Sequence, residues 1–269
     1  MKILFSEINP DYSKYLYPYV VWGIPEPGEK PGQFFDAGFM PGAPDLSRFY
    51  LCRQIRVPLG AFELSSENRR ILRKGSNISC RLVPRPEFDY SEQRRKFFKS
   101  YADKKWGADI MTWERLDGLF RNQVISHVLL FQDDNTGAEL GAAVLYLESP
   151  AMAFYYYAFY DLDYVERSLG MFMMTSAVKF FSEQGFAFIY LGTCYSEKAL
   201  YKTQFDGMEF FNGFRWSRNL EELKFLVRRD PAKKHLLDDE QFRAAFYEGA
   251  LAKIVAAGGW RIDLATLPS

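Results

Sequence analysis

Residues 151–181, AMAFYYYAFYDLDYVERSLGMFMMTSAVKFF, combine a strand, an acidic loop and a helix. The first part is rich in aromatic side chains, which favour β-structure. The last part repeats apolar side chains at helical spacing, at Leu169, Phe172, Met173, Ala177, Phe180 and Phe181. Gly170 falls in the first turn of this helix, where glycine costs helix stability. We therefore expect another group to approach the backbone closely at Gly170.

The segments around this stretch alternate between strands and helices. Upstream, residues 123–149 predict two strands joined by the hairpin turn DDNTG. Downstream, FAFIYLG (186–192) predicts a strand, SEKALYKTQF (196–205) a short helix and EFFNGFRWS (209–217) a final strand. This order indicates an α/β or α+β fold with a mixed sheet. A helix that starts after a central strand can hold an anionic or acyl-bearing ligand at its positive end.

The chain divides into three regions by composition. Residues 1–105 form an N-terminal region, 106–230 the main α/β domain, and 231–269 a helical tail with a helix expected around 239–259. Between Arg53 and Lys105 there are nine Arg and five Lys against four Glu and two Asp, a net charge of +8, although the whole chain is neutral. This asymmetry indicates a local basic face, or else a solvated surface with helical charge pairs.

The bulk composition narrows the class of protein. A net charge of zero argues against a general nucleic-acid binder. No apolar run reaches the ~20 residues of a membrane span, and the first residues do not resemble a signal peptide, so we expect a cytoplasmic protein with no membrane partner. Three cysteines (Cys52, Cys80 and Cys194) and two histidines are too few and too scattered to predict a metal site.

Several different short motifs follow one another from Tyr160 onward. They comprise Tyr160, Asp161, Arg167, Ser168, Leu169, Gly170, Tyr190, Leu191, Gly192, Tyr201, Lys202, Phe205, Glu209, Gly213 and Trp216. Together they resemble the C-terminal region of the aminoacyl-tRNA–protein transferases, the arginyl and leucyl transferases of the N-end rule pathway. The resemblance is strong over residues 154–216 and moderate over 35–74. It implies a mixed sheet like that of the GCN5-related N-acyltransferases, with 106–230 as the acyltransferase-like domain.

The resemblance implies the transfer of arginine or leucine from a charged tRNA to the N-terminal α-amino group of a protein. An α-amino group has a pKa of about 7.7–8.0, so it needs only modest help to act as a nucleophile. The enzyme must chiefly position this amine against the ester and stabilise the developing oxyanion. Backbone N–H groups at a helix start can do this without a catalytic triad.

The resemblance also implies roles for individual residues. Tyr201, Lys202 and Ser168 are the expected catalytic residues, with Tyr201 giving a proton to the leaving ribose hydroxyl. The expected substrate-binding residues are Tyr160, Asp161, Arg167, Leu169, Gly170, Tyr190, Gly192, Glu209, Trp216, Arg56, Arg69 and Arg70. Arg167 would contact the terminal phosphates or ribose, and Arg69 and Arg70 would contact phosphates or read an acidic N-terminus. No metal or cofactor is expected.

Two other functions are compatible with the sequence. One is an N-acyltransferase that uses acyl-CoA, although the usual CoA loop is only half present because Met171 and Phe172 follow Gly170. The other is a non-catalytic family member that binds tRNA or a peptide N-terminus without transfer.

Overall fold

The computed structural model describes residues 1–7, 19–164, 168–229, 236 and 239–258, and for residues 2–7 and 19 it describes the backbone alone. The strands are β1 (Lys2–Glu7), β2 (Tyr19–Ile24), β3 (Phe39–Pro41), β4 (Phe49–Leu51), β5 (Gln54–Pro58), β6 (Ile78–Pro84), β7 (His127–Asp133), β8 (Glu139–Glu148), β9 (Met152–Tyr160), β10 (Phe188–Thr193), β11 (Glu209–Phe211) and β12 (Trp216–Ser217). The α-helices are α1 (Pro31–Asp36), α2 (Ser66–Lys74), α3 (Glu92–Trp106), α4 (Trp113–Arg121), α5 (Leu169–Glu183), α6 (Leu220–Arg228), α7 (Glu240–Tyr247) and α8 (Leu251–Ala257). A 3₁₀-helical segment spans Glu197–Gln204.

One mixed sheet of eight strands organises the chain, in the order β12-β11-β5-β10-β9-β8-β7-β6. Strands β6 to β9 form an antiparallel meander. Helix α5 then connects β9 to β10, which pair in parallel, because a parallel pair needs a crossover connection. Strand β5 lies between β10 and β11 and is antiparallel to both. The predicted mixed α+β class is confirmed.

Strands on both sides of the predicted boundary between residues 105 and 106 belong to this sheet. Strands β5 and β6 come from the first region, and β7 to β12 come from the second. The two regions are therefore joined by backbone hydrogen bonds on both sides of β5 and along β6.

Helices cover the two faces of the large sheet. On one face, Phe172 and Met173 of α5 are buried against Ile71 of α2 and the strands beneath. On the other face, Phe98 of α3 and Leu116 of α4 are buried in a cluster that includes strand residues of the meander. The apolar spacing predicted for α5 therefore serves the core.

A small four-stranded sheet, β1-β2-β4-β3, packs beside the large one. Phe34 and Phe35 of α1 and Phe49 of β4 are completely or almost completely buried, and they form one cluster with Phe154 of β9 and Tyr190 of β10. The high aromatic content of the first fifty residues is thus used to attach this small sheet to the large one.

The structure differs from the sequence prediction at the C-terminal end. Residues 209–217 form two paired strands rather than one, because the Asn212 side chain accepts hydrogen bonds from the N–H groups of Phe214 and Arg215 at 2.9 Å each and closes a turn. The expected tail helix divides into α7 and α8, since Glu248 and Gly249 adopt left-handed conformations with φ of 52° and 75°.

A buried carboxylate attaches this C-terminal part to the sheet. Glu222 of α6 is only 1% exposed. It accepts hydrogen bonds from Asn212 (2.9 Å), Ser217 (2.7 Å) and Tyr247 (3.2 Å). These donors belong to the β11–β12 turn, β12 and α7, so one side chain links three elements. Within the described part of the chain, no helix is long and apolar enough to span a membrane.

Candidate functional site

The site begins where two parallel strands stop pairing. The β9–β10 ladder ends at the pair Phe154 and Tyr190, although β9 continues to Tyr160 and β10 continues to Thr193. Each strand has a register shift just beyond this point. In β9 the extra residue is Tyr156, and in β10 it is Leu191. Because a bulge bends and twists its strand, the two strands diverge and leave an opening in the sheet.

A cavity of about 780 Å³ lies at this opening, and we call it the tyrosine cavity. It is large enough for an amino-acid ester or a drug-sized ligand. Seven predicted site residues line it together, namely Tyr160, Asp161, Ser168, Leu169, Gly170, Tyr201 and Lys202. The other lining residues are Tyr101, Lys105, Trp106, Tyr155, Tyr156, Tyr157, Ala158, Leu162, Tyr164, Met171, Met174, Leu191 and Lys198. The expected grouping of the strand end, the helix start and the Tyr201-Lys202 pair is thus present in one space.

Two buried phenols in the cavity wall were not predicted from the sequence. Tyr155 is 5% exposed, and its hydroxyl has no hydrogen-bond partner among the described atoms. Tyr101 of α3 packs on Tyr160, and the two ring centroids are 4.7 Å apart. Burial raises the pKa of Tyr155 and of Tyr101. These phenols are therefore uncharged at neutral pH and can donate hydrogen bonds to a ligand.

The close approach expected at Gly170 is made by Tyr160. A Cβ atom at Gly170 would lie 2.6 Å from the Tyr160 hydroxyl and 2.7 Å from its Cζ. Real Cβ atoms do not reach such distances. The glycine in the first turn of α5 is therefore explained by the phenol that packs on it, and this phenol also lines the cavity.

The start of α5 leaves two amides free of intrahelical acceptors. Ser168 adopts a left-handed conformation (φ 48°, ψ 51°), and its side chain makes no capping hydrogen bond. Its carbonyl oxygen accepts from the N–H groups of Met171 (2.8 Å) and Phe172 (3.0 Å). The preceding N–H groups, of Leu169 and Gly170, have no carbonyl of the helix to bond to, and both residues line the cavity. The predicted substrate contact at Arg167 lies outside the described residues.

Lys202 is the half-buried cation of the cavity wall. Its Nζ donates to the carbonyl oxygen of Thr193 at 2.9 Å, and it forms no ion pair with a described carboxylate. Burial lowers the pKa of Lys202. Gly192, with φ of 80°, lies beneath it, because a Cβ there would be 3.6 Å from the Lys202 Nζ.

Tyr201 stands at the mouth of the cavity. Its side chain is 47% exposed, and its ring lies 5.9 Å from the Lys202 Nζ. Burial of the phenol and the neighbouring Tyr160 raise the pKa of Tyr201. The hydroxyl is therefore protonated at neutral pH, as a proton donor requires.

Four other predicted site residues form a separate cluster around Arg56. The Arg56 guanidinium lies 3.9 Å from the Trp216 ring centroid and 2.8 Å from Glu209 Oε2. It also contacts Asp36 at 2.6 Å and the Tyr190 hydroxyl at 3.4 Å. None of these residues lines the tyrosine cavity. Because the guanidinium is paired with two carboxylates, this cluster connects β5, β10, β11 and β12 with α1.

The predicted arginine pair on α2 lies away from the cavity. The Arg69 guanidinium donates to the carbonyl oxygen of Leu64. Arg70 pairs with Glu67 on the same helix at 2.6 Å, and both side chains are about half exposed. Neither arginine lines the tyrosine cavity, so their predicted role in binding phosphates or an acidic N-terminus stays a prediction.

Comparison with known proteins finds a family whose model matches part of this chain. Residues 85–212 match the family model described as Arginine-tRNA-protein transferase, C terminus. This class of protein joins amino acids to other proteins from tRNA. Over these residues the chain is similar to the aminoacyl-tRNA–protein transferases, which supports the resemblance drawn from its motifs.

The names of individual relatives are more specific than the description of the family model. The chain is 26% identical to an aspartate/glutamate leucyltransferase of Ruegeria pomeroyi over 171 residues, which cover 61% of each protein. It is 29% identical to an aspartate/glutamate leucyltransferase of Stutzerimonas stutzeri over 179 residues, covering 64% of this chain and 74% of that one. The chain thus spans less than two thirds of the first relative's length.

Solved structures resemble the chain at the level of backbone arrangement. The C-terminal domain of a putative lysylphosphatidylglycerol synthetase from Agrobacterium fabrum aligns with a TM-score of 0.41 at 18% identity, covering 61% of this chain and 51% of that one. The L-PGS of Bacillus licheniformis aligns with a TM-score of 0.40 at 10% identity, covering 53% and 46%.

Proposed function

We propose that this chain transfers leucine from leucyl-tRNA to the α-amino group of proteins that begin with aspartate or glutamate. The observation that carries the proposal is the tyrosine cavity, where the start of α5, several phenols and Lys202 line one space. The relatives named aspartate/glutamate leucyltransferases support the same reaction. Because the donor is a charged tRNA, we expect the reaction to take place in the cytoplasm.

The walls of the cavity favour leucine over arginine as the transferred residue. Ala158, Leu169, Met174 and Leu191 supply apolar surface. The carboxylate among the described lining residues is Asp161, which is half-buried and accepts a hydrogen bond from the N–H group of Asp163 at 2.9 Å. A buried guanidinium requires a paired carboxylate, whereas a leucine side chain gains from apolar contact alone.

In this proposal, Lys202 recognises the acidic N-terminal residue of the acceptor protein. The carboxylate of an N-terminal aspartate or glutamate lies on the same residue as the attacking amine, so it must enter the tyrosine cavity. Lys202 offers a cation with no described carboxylate partner, in surroundings dry enough to lower its pKa. Reduced hydration strengthens such a charge pair, so an acidic N-terminus binds better than a neutral one.

The reaction needs few catalytic side chains. The neutral α-amine attacks the ester carbonyl carbon, and the amides of Leu169 and Gly170 stabilise the oxyanion that develops. As the C–N bond forms, the C–O bond to the ribose breaks. The ribose oxygen takes a proton from Tyr201, and the phenol recovers a proton from the nitrogen that attacked. The protein is thereby returned to its starting state.

The test uses charged tRNA and short peptides that differ in the first residue. We expect labelled leucine, and not arginine, to be incorporated into peptides that begin with Asp or Glu. The Lys202→Met variant should raise KM for these peptides about tenfold or more, because a charge-assisted contact is lost. Lys224→Met is the matched control, since this lysine pairs with Glu221 on α6. Transfer of neither amino acid to any peptide would refute the proposal.

The same assay separates the two alternatives. A rise in melting temperature with acetyl-CoA, together with acetylation of the peptide and no effect of tRNA, would identify an acyl-CoA-dependent enzyme. Salt-dependent binding of tRNA or peptide without any turnover would identify a non-catalytic member of the family.

A further inference from the structure

A second cavity, of about 430 Å³, lies beside the tyrosine cavity. The two cavities share the side chains of Tyr156 and Tyr157. The second cavity is also lined by Pro44, Met111, Arg115, Gly118, Leu119, Arg121 and Asn122. The two cavities are therefore adjacent and meet at these two tyrosine rings, whose centroids are 4.5 Å apart.

Helix α4 presents an unusual surface to the second cavity. Arg115, Gly118 and Arg121 follow one another at intervals of three residues, so they lie along one face. Gly118 is in the middle of the helix, where glycine is less favourable than alanine. A Cβ at this position would meet nothing within 4 Å. Packing within the protein therefore does not explain the glycine, and its effect is a flat, open surface between two guanidinium groups.

The two arginines on this face are available to an anion. Arg115 donates to the carbonyl oxygen of Ile110 at 2.9 Å, and within the described part neither Arg115 nor Arg121 forms an ion pair with a carboxylate. Among the described residues, the charged side chains that line the two cavities are those of Lys105, Lys198, Lys202, Arg115 and Arg121, with Asp161 as the one carboxylate. The combined surface is thus strongly positive on a chain whose net charge is zero.

We propose that Arg115, Gly118, Arg121, Tyr156 and Tyr157 form a track that binds the single-stranded 3′ end of the tRNA and leads it into the tyrosine cavity. The inference rests on the proposed function and extends it to the path of the donor. Single-stranded RNA is bound by stacking of bases on aromatic rings and by cations along its phosphates. The track offers both, and Gly118 lets the RNA backbone approach the helix.

An acidic peptide fits this track less well than RNA. The acceptor's recognised carboxylate belongs to its first residue, so it stays in the tyrosine cavity with the reacting amine. The phosphates of the donor lie farther from the reacting ester, one nucleotide after another. Cations that line a second, adjacent cavity are therefore placed for the phosphates of the donor.

The test measures binding of uncharged tRNA, which needs no turnover. The double variant Arg115→Gln/Arg121→Gln should weaken binding at low salt tenfold or more. Loss of two phosphate contacts on a single strand should also reduce the slope of log K against log salt concentration by about 1.4. The control is Lys224→Gln/Arg228→Gln, which removes the same charge from α6 and should bind as the wild type does.

A second variant separates binding from folding. Gly118→Leu replaces a poor helix former by a good one, so its melting temperature should equal or exceed that of the wild type. Its side chain extends into the track and should weaken tRNA binding at least tenfold. Wild-type affinity in both Gly118→Leu and Arg115→Gln/Arg121→Gln would overturn the inference.

Two further results would overturn it in favour of another surface or ligand. Weaker tRNA binding by Arg69→Gln/Arg70→Gln alone would move the donor to α2. A raised KM for the acidic peptide, with unchanged tRNA binding, would assign the track to the acceptor. Absence of leucine transfer by the wild type refutes the proposed function, whereas the tRNA affinities still decide the track.

Discussion

Substitution of Gly170 by alanine tests the contact that explains this glycine. The new Cβ would lie 2.6, 2.7 and 2.9 Å from the hydroxyl, Cζ and Cε1 of Tyr160. Tyr160 cannot yield freely, because its ring packs on Tyr101 with centroids 4.7 Å apart. Overpacking of this kind costs about 1–3 kcal/mol, and alanine returns up to about 1 kcal/mol through helix propensity. We therefore expect a net loss of about 1–2 kcal/mol in the free energy of unfolding.

The assay is a double-mutant cycle measured by urea unfolding. Gly170→Ala is compared in the wild type and in Tyr160→Leu, whose shorter side chain lacks the clashing atoms. The penalty should disappear in the second background, which gives a coupling energy of about 1–2 kcal/mol. Transfer activity should fall in Gly170→Ala, since the displaced phenol enters the cavity. If alanine has the same small effect in both backgrounds, the close approach of Tyr160 does not exist and the reasoning is refuted.

Four more predictions concern single side chains. Tyr155→Phe should leave the free energy of unfolding unchanged or raise it by up to about 1 kcal/mol, because a buried hydroxyl without a partner is removed. Leucine transfer should fall about tenfold in this variant, and transfer equal to that of the wild type would contradict the prediction. Glu222→Ala should cost about 2–3 kcal/mol in urea unfolding, since three buried donors lose their acceptor. Arg56→Met should cost about 2 kcal/mol, because Glu209 loses a charge-assisted hydrogen bond and keeps only the exposed Arg218 as its partner. Wild-type melting would be the contrary result. Burial lowers the pKa of Lys202, so the folded state loses this proton before the unfolded state does, and stability should rise with pH from the lowered pKa up to about 10.5. The rise should be smaller in Lys202→Met when unfolding is followed from pH 8 to 10.

The sequence predicted the grouping at the tyrosine cavity because its parts follow the ends of neighbouring strands. Tyr160 and Asp161 close β9, Ser168 precedes α5, and Lys202 follows β10 in a short helix. In a mixed sheet these ends meet at one edge. The resemblance identified these residues, and the order of the elements brings them to one edge of the sheet without any knowledge of side-chain packing.

The missed residues depend on irregularities that the sequence does not reveal. A strand alternates its faces with a period of two, and a single extra residue at Tyr156 changes which side chains share a face. Tyr155 thereby packs in the apolar cluster that contains α5, whereas Tyr156 and Tyr157 pack against the cluster that contains α3 and α4, although all three line the tyrosine cavity. Tyr101 enters the site from α3, more than fifty positions earlier in the chain, and no local pattern indicates this contact. The aromatic run 155–157 was the available signal, but it does not say which phenol lacks a partner.

Strand β5 has a consequence for how this protein can be divided. The family similarity covers residues 85–212, yet β5 (Gln54–Pro58) lies between β10 and β11 in the large sheet. A fragment limited to the similar region would lack this strand and would expose the unpaired edges of two others, which invites association between chains. The region that is similar to the family model is therefore smaller than the region that must fold together. Strand β5 is synthesised early, yet the strands that pair with it are synthesised much later.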